Sequence, residues 1–274
     1  MYSNYNSLQV TWNKQSGHLT FLTNYTFGKA LGIRSENGDG NQGADPTNLR
    51  SNYGTLPNNR THIFNVAYVY EFPRVNNAGA FVKQVANGWQ ISGIVQYQTG
   101  ADLQAAVAGN GNFNYTGFIP GGTTFMGQTI TAPVQANGQN ALGTPDIQLM
   151  PTLTCDPRQG LTAHQYINAA CFSPLVTPGK QGNYIFPVLT GPGFFNTDLS
   201  VFKNFTFGQS ESKKLQFRFS GYNFLNHPNR TFINGDQGLN LTFNSTGALA
   251  NPNFGYATNT IGHRIIQGMV RFMW

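Results

Sequence analysis

The sequence is poor in charged residues, and acidic residues are the scarcest. Asp, Glu, Lys and Arg make up only 9% of the 274 residues, against about 25% in typical soluble domains. With 10 acidic residues in the chain, paired catalytic carboxylates have few places to occur. The 5 histidines are isolated from one another, and no nucleophile-elbow, zinc-protease or phosphate-loop pattern is present. We therefore expect no enzymatic activity and no cofactor.

The excess of basic residues does not indicate nucleic-acid binding. The formal net charge is +6 and the sequence pI is about 9.4. The Lys and Arg residues are scattered along the chain, however, with only Lys213 and Lys214 adjacent, whereas a nucleic-acid footprint needs a basic stripe or cluster. We expect no nucleic-acid partner.

Long apolar runs are also missing, which excludes transmembrane helices because these need about 18 or more consecutive apolar residues. A transmembrane β-barrel remains possible, since its strands need an apolar residue only at every second position. The N-terminus, MYSNYNSLQV, has neither the basic start nor the apolar segment of a signal peptide. Either the protein stays inside the cell or its beginning is missing.

Cysteine is scarce as well. Cys155 and Cys171 lie in one region rich in Pro and Gly, without the further ligands that a zinc site needs. A disulfide formed in an oxidising compartment is favoured over two free thiols.

Aromatic residues and glycine are plentiful, with 22 Phe, 12 Tyr and 32 Gly among long polar stretches. This mixture is typical of many β-strands joined by polar turns. Seven segments alternate apolar and polar residues over about ten positions, the length of a tilted strand that crosses a bilayer. The segments are residues 7–13, 19–27, 61–72, 89–98, 195–207, 215–220 and 266–272. Only Phe202 and Lys203 break the phase of the fifth and clearest one.

The connections between these segments alternate in length. Long loops are predicted at about residues 29–60, 101–193 and 226–262, and shorter turns join the strands at their other ends. Barrels of the outer membrane have such an up-and-down order, with long loops on the extracellular side. A soluble β-sandwich also alternates, but its strands are usually shorter and its loops seldom run to such lengths. The loop at 101–193 is either a lid or substrate-contacting surface, or a surface loop that binds nothing.

Four charged residues are predicted on the polar, lumen-facing side of the strands, namely Glu71, Asp198, Arg218 and Arg271. They could line a substrate path, but pairing across strands to stiffen the wall is favoured. A run of Asp, Asn and Gly from Glu36 to Asp45 could offer Ca²⁺ oxygen ligands through Asp39 and Asp45. A flexible loop is the favoured interpretation of that run.

The chain ends in the sequence IIQGMVRFMW, whose last residue is aromatic. Every second position before it is apolar or Gly. The set is Ile266, Gly268, Val270, Phe272 and Trp274. A final strand with an aromatic carboxy terminus is similar to the signal by which the barrel-insertion machinery recognises its substrates. An ordinary edge strand that happens to end in Trp is the alternative.

The chain resembles a family along nearly its whole length: the large TonB-dependent transporters with an Oar-like barrel, of the type found in Acidobacteria. The segments that carry the resemblance are YNSLQVTW, LTFLTNYTFGK, RTHIFNVAYVYEFP, GWQISGIVQYQTG, CDPR with AACF, GPGFFNTDLSVFKNF and LQFRFSGYNFLNHPN. The resemblance implies a Gram-negative outer-membrane location, contact with membrane lipid, and uptake of a bulky ligand of unknown identity.

Members of that family also carry a signal peptide, a β-sandwich domain and a plug inside a barrel of about 22 strands. None of these parts is visible here, so we expect the chain to be the last seven strands of such a barrel, an all-β, antiparallel, up-and-down fragment. An odd number of strands cannot close into the even-stranded barrel of this class. The TonB complex would then be a partner only through the missing N-terminal part. Two alternatives remain open: a structural or adhesive outer-membrane protein that binds through its loops, and a secreted carbohydrate-binding β-sandwich.

Overall fold

Seven long antiparallel strands form one continuous sheet in the computed structural model of the protein. The structure describes residues 2–33, 50, 53–56, 58–103, 114–145, 147, 149–184, 189–207, 213–232 and 237–274. The long strands are β1 (Ser3–Ser16), β2 (Leu19–Ile33), β3 (His62–Glu71), β4 (Trp89–Gln98), β5 (Phe194–Phe207), β6 (Lys213–Tyr222) and β7 (Ile265–Met273). Each pairs with the next along the chain, and β1 and β7 stand at the two edges of the sheet. The predicted all-β, up-and-down order is confirmed.

The first hairpin is longer than the sequence indicates. β1 and β2 pair without a break from Ser3 opposite Gly32 to Ser16 opposite Leu19. The short strand Tyr53–Thr55 then adds to the end of β2. β2 therefore extends to Ile33, four residues past the position at which the sequence predicted a loop to begin. The alternating pattern fades there, because glycines 28 and 32 replace side chains on the pleat.

The register gives the sheet two chemically different faces, because successive side chains of a strand point to opposite sides. On one face, Val10, Tyr25, Phe64, Tyr97 and Phe195 form a single row across five strands. On the other face a row of Gln15, Thr20, Val69, Ser92, Ser200, Ser220 and Gln267 crosses all seven strands. We call the first the apolar face and the second the polar face.

The connections at one end of the sheet are compact. Gly17, with φ of +73°, turns β1 into β2, and β3 is joined to β4 through the helix α1 (Ala80–Ala86). The sequence pattern does not indicate α1, because a helix of 7 residues is too short to show a period. Gly88 follows α1 with φ of +78°, and a side chain there would collide with the carbonyl oxygen of Asn204. Only glycine fits this turn.

The connections at the opposite end, which join β4 to β5 and β6 to β7, fold together into one unit that we call the cap. Short strands in them include Asn114–Thr116 and Asn240–Thr242, which pair in parallel, one from each connection. A short helix, α2 (Gly138–Leu142), begins at Asn137 with a reciprocal capping box to Asn140. Loops are predicted here from the sequence, whereas the described parts of both connections form a shared fold.

The cap contains the hydrophobic core of the described chain. One cluster draws on both connections and consists of Leu103, Met150, Ile167, Phe172, Tyr184, Leu189, Phe232, Leu239, Leu241, Phe243, Phe254 and Ala257. A second cluster consists of Ile119, Ala136, Ala141, Leu149 and Val176. The apolar residues of the edge strands, by contrast, are exposed, as for Leu8 and Val270. No helix in the described ranges is both long and apolar enough to cross a membrane.

Candidate functional surfaces of the wall and the cap

The polar face of the sheet is concave. A groove of about 420 Å³ on this face is lined by residues from Asn13 of β1 to Tyr222 of β6. Neighbouring strands lie about 4.8 Å from each other, so in a flat sheet residues of β1 and β6 would be too far apart to line one groove. Asp198 and Arg218, two of the predicted lumen-facing residues, both line this groove.

Arg218 is held in place by neutral groups. Its Nε donates to the Ser220 hydroxyl at 2.8 Å, and its Nη2 donates to the Ser200 hydroxyl at 3.3 Å. The two hydroxyls are themselves 2.8 Å apart. The guanidinium also lies over the ring of Phe202, 5.0 Å from its centroid. This cation–π contact explains why an aromatic residue breaks the polar phase of β5.

Asp198 ties the wall to the cap connection. Its Oδ1 accepts the Asn196 side-chain amide at 2.9 Å and the backbone N–H of Asn223, just after β6, also at 2.9 Å. Charge-assisted bonds of this kind are stronger than neutral ones. The sequence favoured pairing of the charged residues across strands. The hydrogen bonds of Asp198 and Arg218 given above are instead with neutral groups.

Glu71 and Arg271 lie on the same polar face as Asp198 and Arg218, but the four residues do not cluster. Glu71 shares a row with Arg218, three strands away, which is a separation of about 14 Å. Arg271 lies opposite Gln216, whose amide donates to Asn204 at 2.8 Å. The four charges are therefore spread over the groove wall rather than gathered into a cluster.

Two buried asparagines, which are not among the residues predicted from the sequence, join the wall to the cap. Asn223 adopts φ of +45°, accepts the His227 N–H and donates to the His227 carbonyl, both at 2.9 Å, and also donates to the Gly262 carbonyl. Asn229 accepts from the Phe195 N–H at 2.7 Å and donates to the Phe195 carbonyl at 2.8 Å. Its side chain thereby imitates a strand partner for β5. The signal was present in the segment GYNFLNHPN, as turn-forming Asn in an otherwise apolar stretch.

The cap is cross-linked by a disulfide between Cys155 and Cys171, whose Cα atoms are 4.8 Å apart. Next to it, Arg158 donates two side-chain bonds to the Asp156 carboxylate, at 2.9 and 2.8 Å. These bonds from Arg158 lower the pKa of Asp156 to about 2. Deeper in the cap, burial raises the pKa of Tyr115, whose hydroxyl donates to the Ser173 carbonyl at 3.1 Å.

The predicted Ca²⁺ ligands Asp39 and Asp45 lie outside the described residues. Among the residues that are described, no group of three or more His, Cys, Asp or Glu is placed to hold a metal ion.

The C-terminal strand carries its apolar pattern on the apolar face. Ile266, Val270 and Phe272 are exposed there, and Trp274 is 88% exposed at the chain end. The rings of Phe272 and Trp274 are 5.9 Å apart. Gly268 lies on the same face, and a Cβ atom at this position would meet no other atom within 4 Å.

An antiparallel meander with one apolar and one concave polar face, compact turns at one end and long connections at the other defines the wall of a transmembrane β-barrel. In agreement, residues 1–267 match the model of a protein family described as outer membrane beta barrel domain. The chain belongs to this family, and its location is the bacterial outer membrane. No curated protein and no solved structure matches the chain.

Membership fixes the orientation of the surfaces. In outer-membrane barrels the apolar face contacts lipid and the long connections are extracellular. The cap accordingly lies outside the cell and the α1 end faces the periplasm. The polar groove faces the barrel interior.

Proposed function

We propose that this chain is part of the wall and the extracellular cap of a TonB-dependent transporter, which takes up a bulky ligand across the outer membrane. The observation that carries the proposal is the folded cap above a concave polar wall. A cap with its own core and a disulfide offers a preformed outer surface for a ligand. The groove below it is lined by neutral polar side chains such as those of Gln15, Thr20 and Ser92 and by apolar ones such as those of Leu22 and Ile94.

The open edges of the sheet support the same proposal. In lipid, every backbone polar group needs a partner, so β1 and β7 cannot stay unpaired in the membrane. A wall of seven strands that curves only far enough to form an open groove suits a barrel with many more strands. Wide barrels of this class surround a plug and pass bulky cargo.

The test is energy-dependent uptake by cells that carry or lack the gene. The probes are a radiolabelled ferric siderophore, a labelled oligosaccharide and a labelled peptide mixture, each with and without a protonophore. Uptake of one probe that is lost with the gene and abolished by the protonophore supports an active transporter. Uptake that survives the protonophore indicates a passive pore. If uptake of all three is unchanged but attachment to surfaces is lost, the protein is an adhesive one that binds through its cap.

A further inference from the structure

A lysine on the lipid-facing side of the wall explains the position of helix α1. Lys203 lies in β5 in the row of Trp89 and Phe217, where a charged residue would be costly next to lipid. Its ammonium donates to the carbonyl oxygens of Gln84 at 2.7 Å and Val85 at 2.9 Å, and also to that of Asn87. These carbonyls stand at the C-terminal end of α1, which attracts cations. Lys203 is therefore buried, with 6% of its surface exposed.

Aromatic rings also surround the Lys203 ammonium. The Lys203 ammonium lies 4.8 Å from the ring centroid of Phe205 and 5.3 Å from that of Trp89. The Trp89 indole N–H donates to the Val85 carbonyl at 2.9 Å, and the Gln84 amide donates to the Thr206 carbonyl at 3.2 Å. Together these bonds fix α1 on the apolar side of the wall, at its periplasmic rim.

The free face of α1 is apolar. Phe81 is 81% exposed, and Val82 and Val85 are each 50% exposed. At 100° per residue these three lie within about one-third of the helix circumference, and Lys83 lies on the opposite side. α1 is bonded to the lipid-facing side of the wall through Lys203 and Trp89. These two residues also line a groove of about 390 Å³ on that side, together with Val201, Phe217, Gly268 and Val270.

We propose that α1 is an interfacial anchor, which inserts Phe81, Val82 and Val85 into the phospholipids of the periplasmic leaflet and is held there by Lys203. Continuity with the lipid-facing wall identifies lipid as the occupant of this surface. A short helix of this kind lies in the interface plane with its apolar side in the acyl boundary. The proposal rests on the membrane location alone and holds whether or not the protein transports a ligand.

The test places an environment-sensitive label at a single introduced cysteine, with Cys155 and Cys171 kept in their disulfide. Phe81→Cys carries the label on the apolar side of α1, and Lys83→Cys is the matched control on the other side. The protein that contains this chain is purified and reconstituted into vesicles of phosphatidylethanolamine and phosphatidylglycerol. Quenching is measured with aqueous iodide and with a phospholipid bearing a nitroxide near its headgroup.

The expected result is that the label at position 81 is quenched by the nitroxide lipid and is several-fold less accessible to iodide than the label at position 83. Equal iodide access at the two positions in vesicles would overturn the proposal. Shielding that occurs in native outer membranes but not in vesicles would also overturn it, because a protein would then cover α1.

The role of Lys203 is tested in the same assay with Lys203→Met, and Lys203→Arg serves as the conservative control. We expect the label at position 81 to become accessible to iodide in Lys203→Met, and to stay shielded in Lys203→Arg. Unchanged shielding in Lys203→Met would show that the lysine does not hold the helix. Because the label at position 81 is first read with Lys203 intact, a folding defect of the variant leaves the main test unaffected.

Discussion

The carboxylate of Asp198 accepts the backbone N–H of Asn223 at 2.9 Å, so that a residue inside the membrane wall holds the first residue of an extracellular connection. The bond joins β5 to the end of β6 on the side of the cap. Cap and wall are thus coupled at a defined point.

Replacing Asp198 should loosen the cap without unfolding the wall. Asp198→Ala removes a charged acceptor, a loss of about 1.5–3 kcal/mol, and frees the Asn223 N–H. Asp198→Asn keeps an acceptor oxygen and should have a smaller effect. Limited proteolysis of cells from outside measures the change, with faster cleavage in the cap expected for the alanine variant. Identical cleavage rates in the two variants would argue against the coupling.

Asn229 should matter through both halves of its amide, because it bonds the N–H and the carbonyl of Phe195. Asn229→Ala removes two buried bonds worth about 1 kcal/mol each. Asn229→Asp keeps the acceptor but loses the donor, so we expect it to be intermediate at most. Samples are incubated at rising temperatures before gel electrophoresis, and the variants are ranked by the temperature at which the band of the folded form disappears. An aspartate variant as stable as the wild type would contradict the role of the donor.

Loss of the disulfide should weaken the cap alone. The bridge closes a sequence separation of 16 residues, and loops of about that length are stabilised by about 3 kcal/mol. The double variant Cys155→Ser with Cys171→Ser should be cleaved by protease in the cap more rapidly, whereas the strands in the membrane stay protected. A cap that resists protease equally well without the bridge would contradict this expectation.

The Asp156–Arg158 interaction should be insensitive to pH across the ordinary range. The pKa of Asp156 is lowered to about 2 by its bonds from Arg158, so its contribution to stability is present above the unfolded-state pKa near 3.9 and is lost as the pH falls through about 2. The proteolysis rate of the cap should therefore show no step from this residue between neutral pH and about pH 5. The measurement is the proteolysis rate of the cap against pH for the wild type and for Asp156→Asn. The two profiles should differ only in the change that Asp156 causes near pH 2.

Trp274 should contribute to assembly of the barrel if the C-terminal pattern is an insertion signal. Trp274→Ala removes the terminal aromatic ring from the apolar face, and Met273→Ala, on the polar face of the same strand, is the matched control. We expect less folded, protease-resistant protein in the outer membrane for Trp274→Ala only. Equal amounts of both variants would favour an ordinary edge strand.

The wall could be predicted from the sequence because its information is local. Each of the seven strands shows its alternation within about ten residues, and the lipid requires that alternation to be nearly unbroken. Even the two exceptions in β5 carried information, since Lys203 binds the end of α1 and Phe202 lies under Arg218. What the sequence could not show was the identity of their partners, which lie far along the chain.

The cap could not be predicted for the opposite reason. Its strands have two or three residues, which is too few for a period. Leu241 and Ile167 become core residues because the fold brings them into one cluster from distant parts of the chain. Asn223 and Asn229 belong to the same class, because their importance comes from the carbonyls and N–H groups that the fold brings to them.

The shared core of the cap has a mechanical consequence. Ile167 and Leu189 come from the chain before β5, and Phe232 and Leu241 come from the chain after β6, so the two extracellular connections cannot swing apart without exposing packed apolar side chains. The two connections therefore form a single packed unit that is attached to the ends of four strands. A displacement of one connection would therefore carry the other with it, through the apolar side chains that the two share.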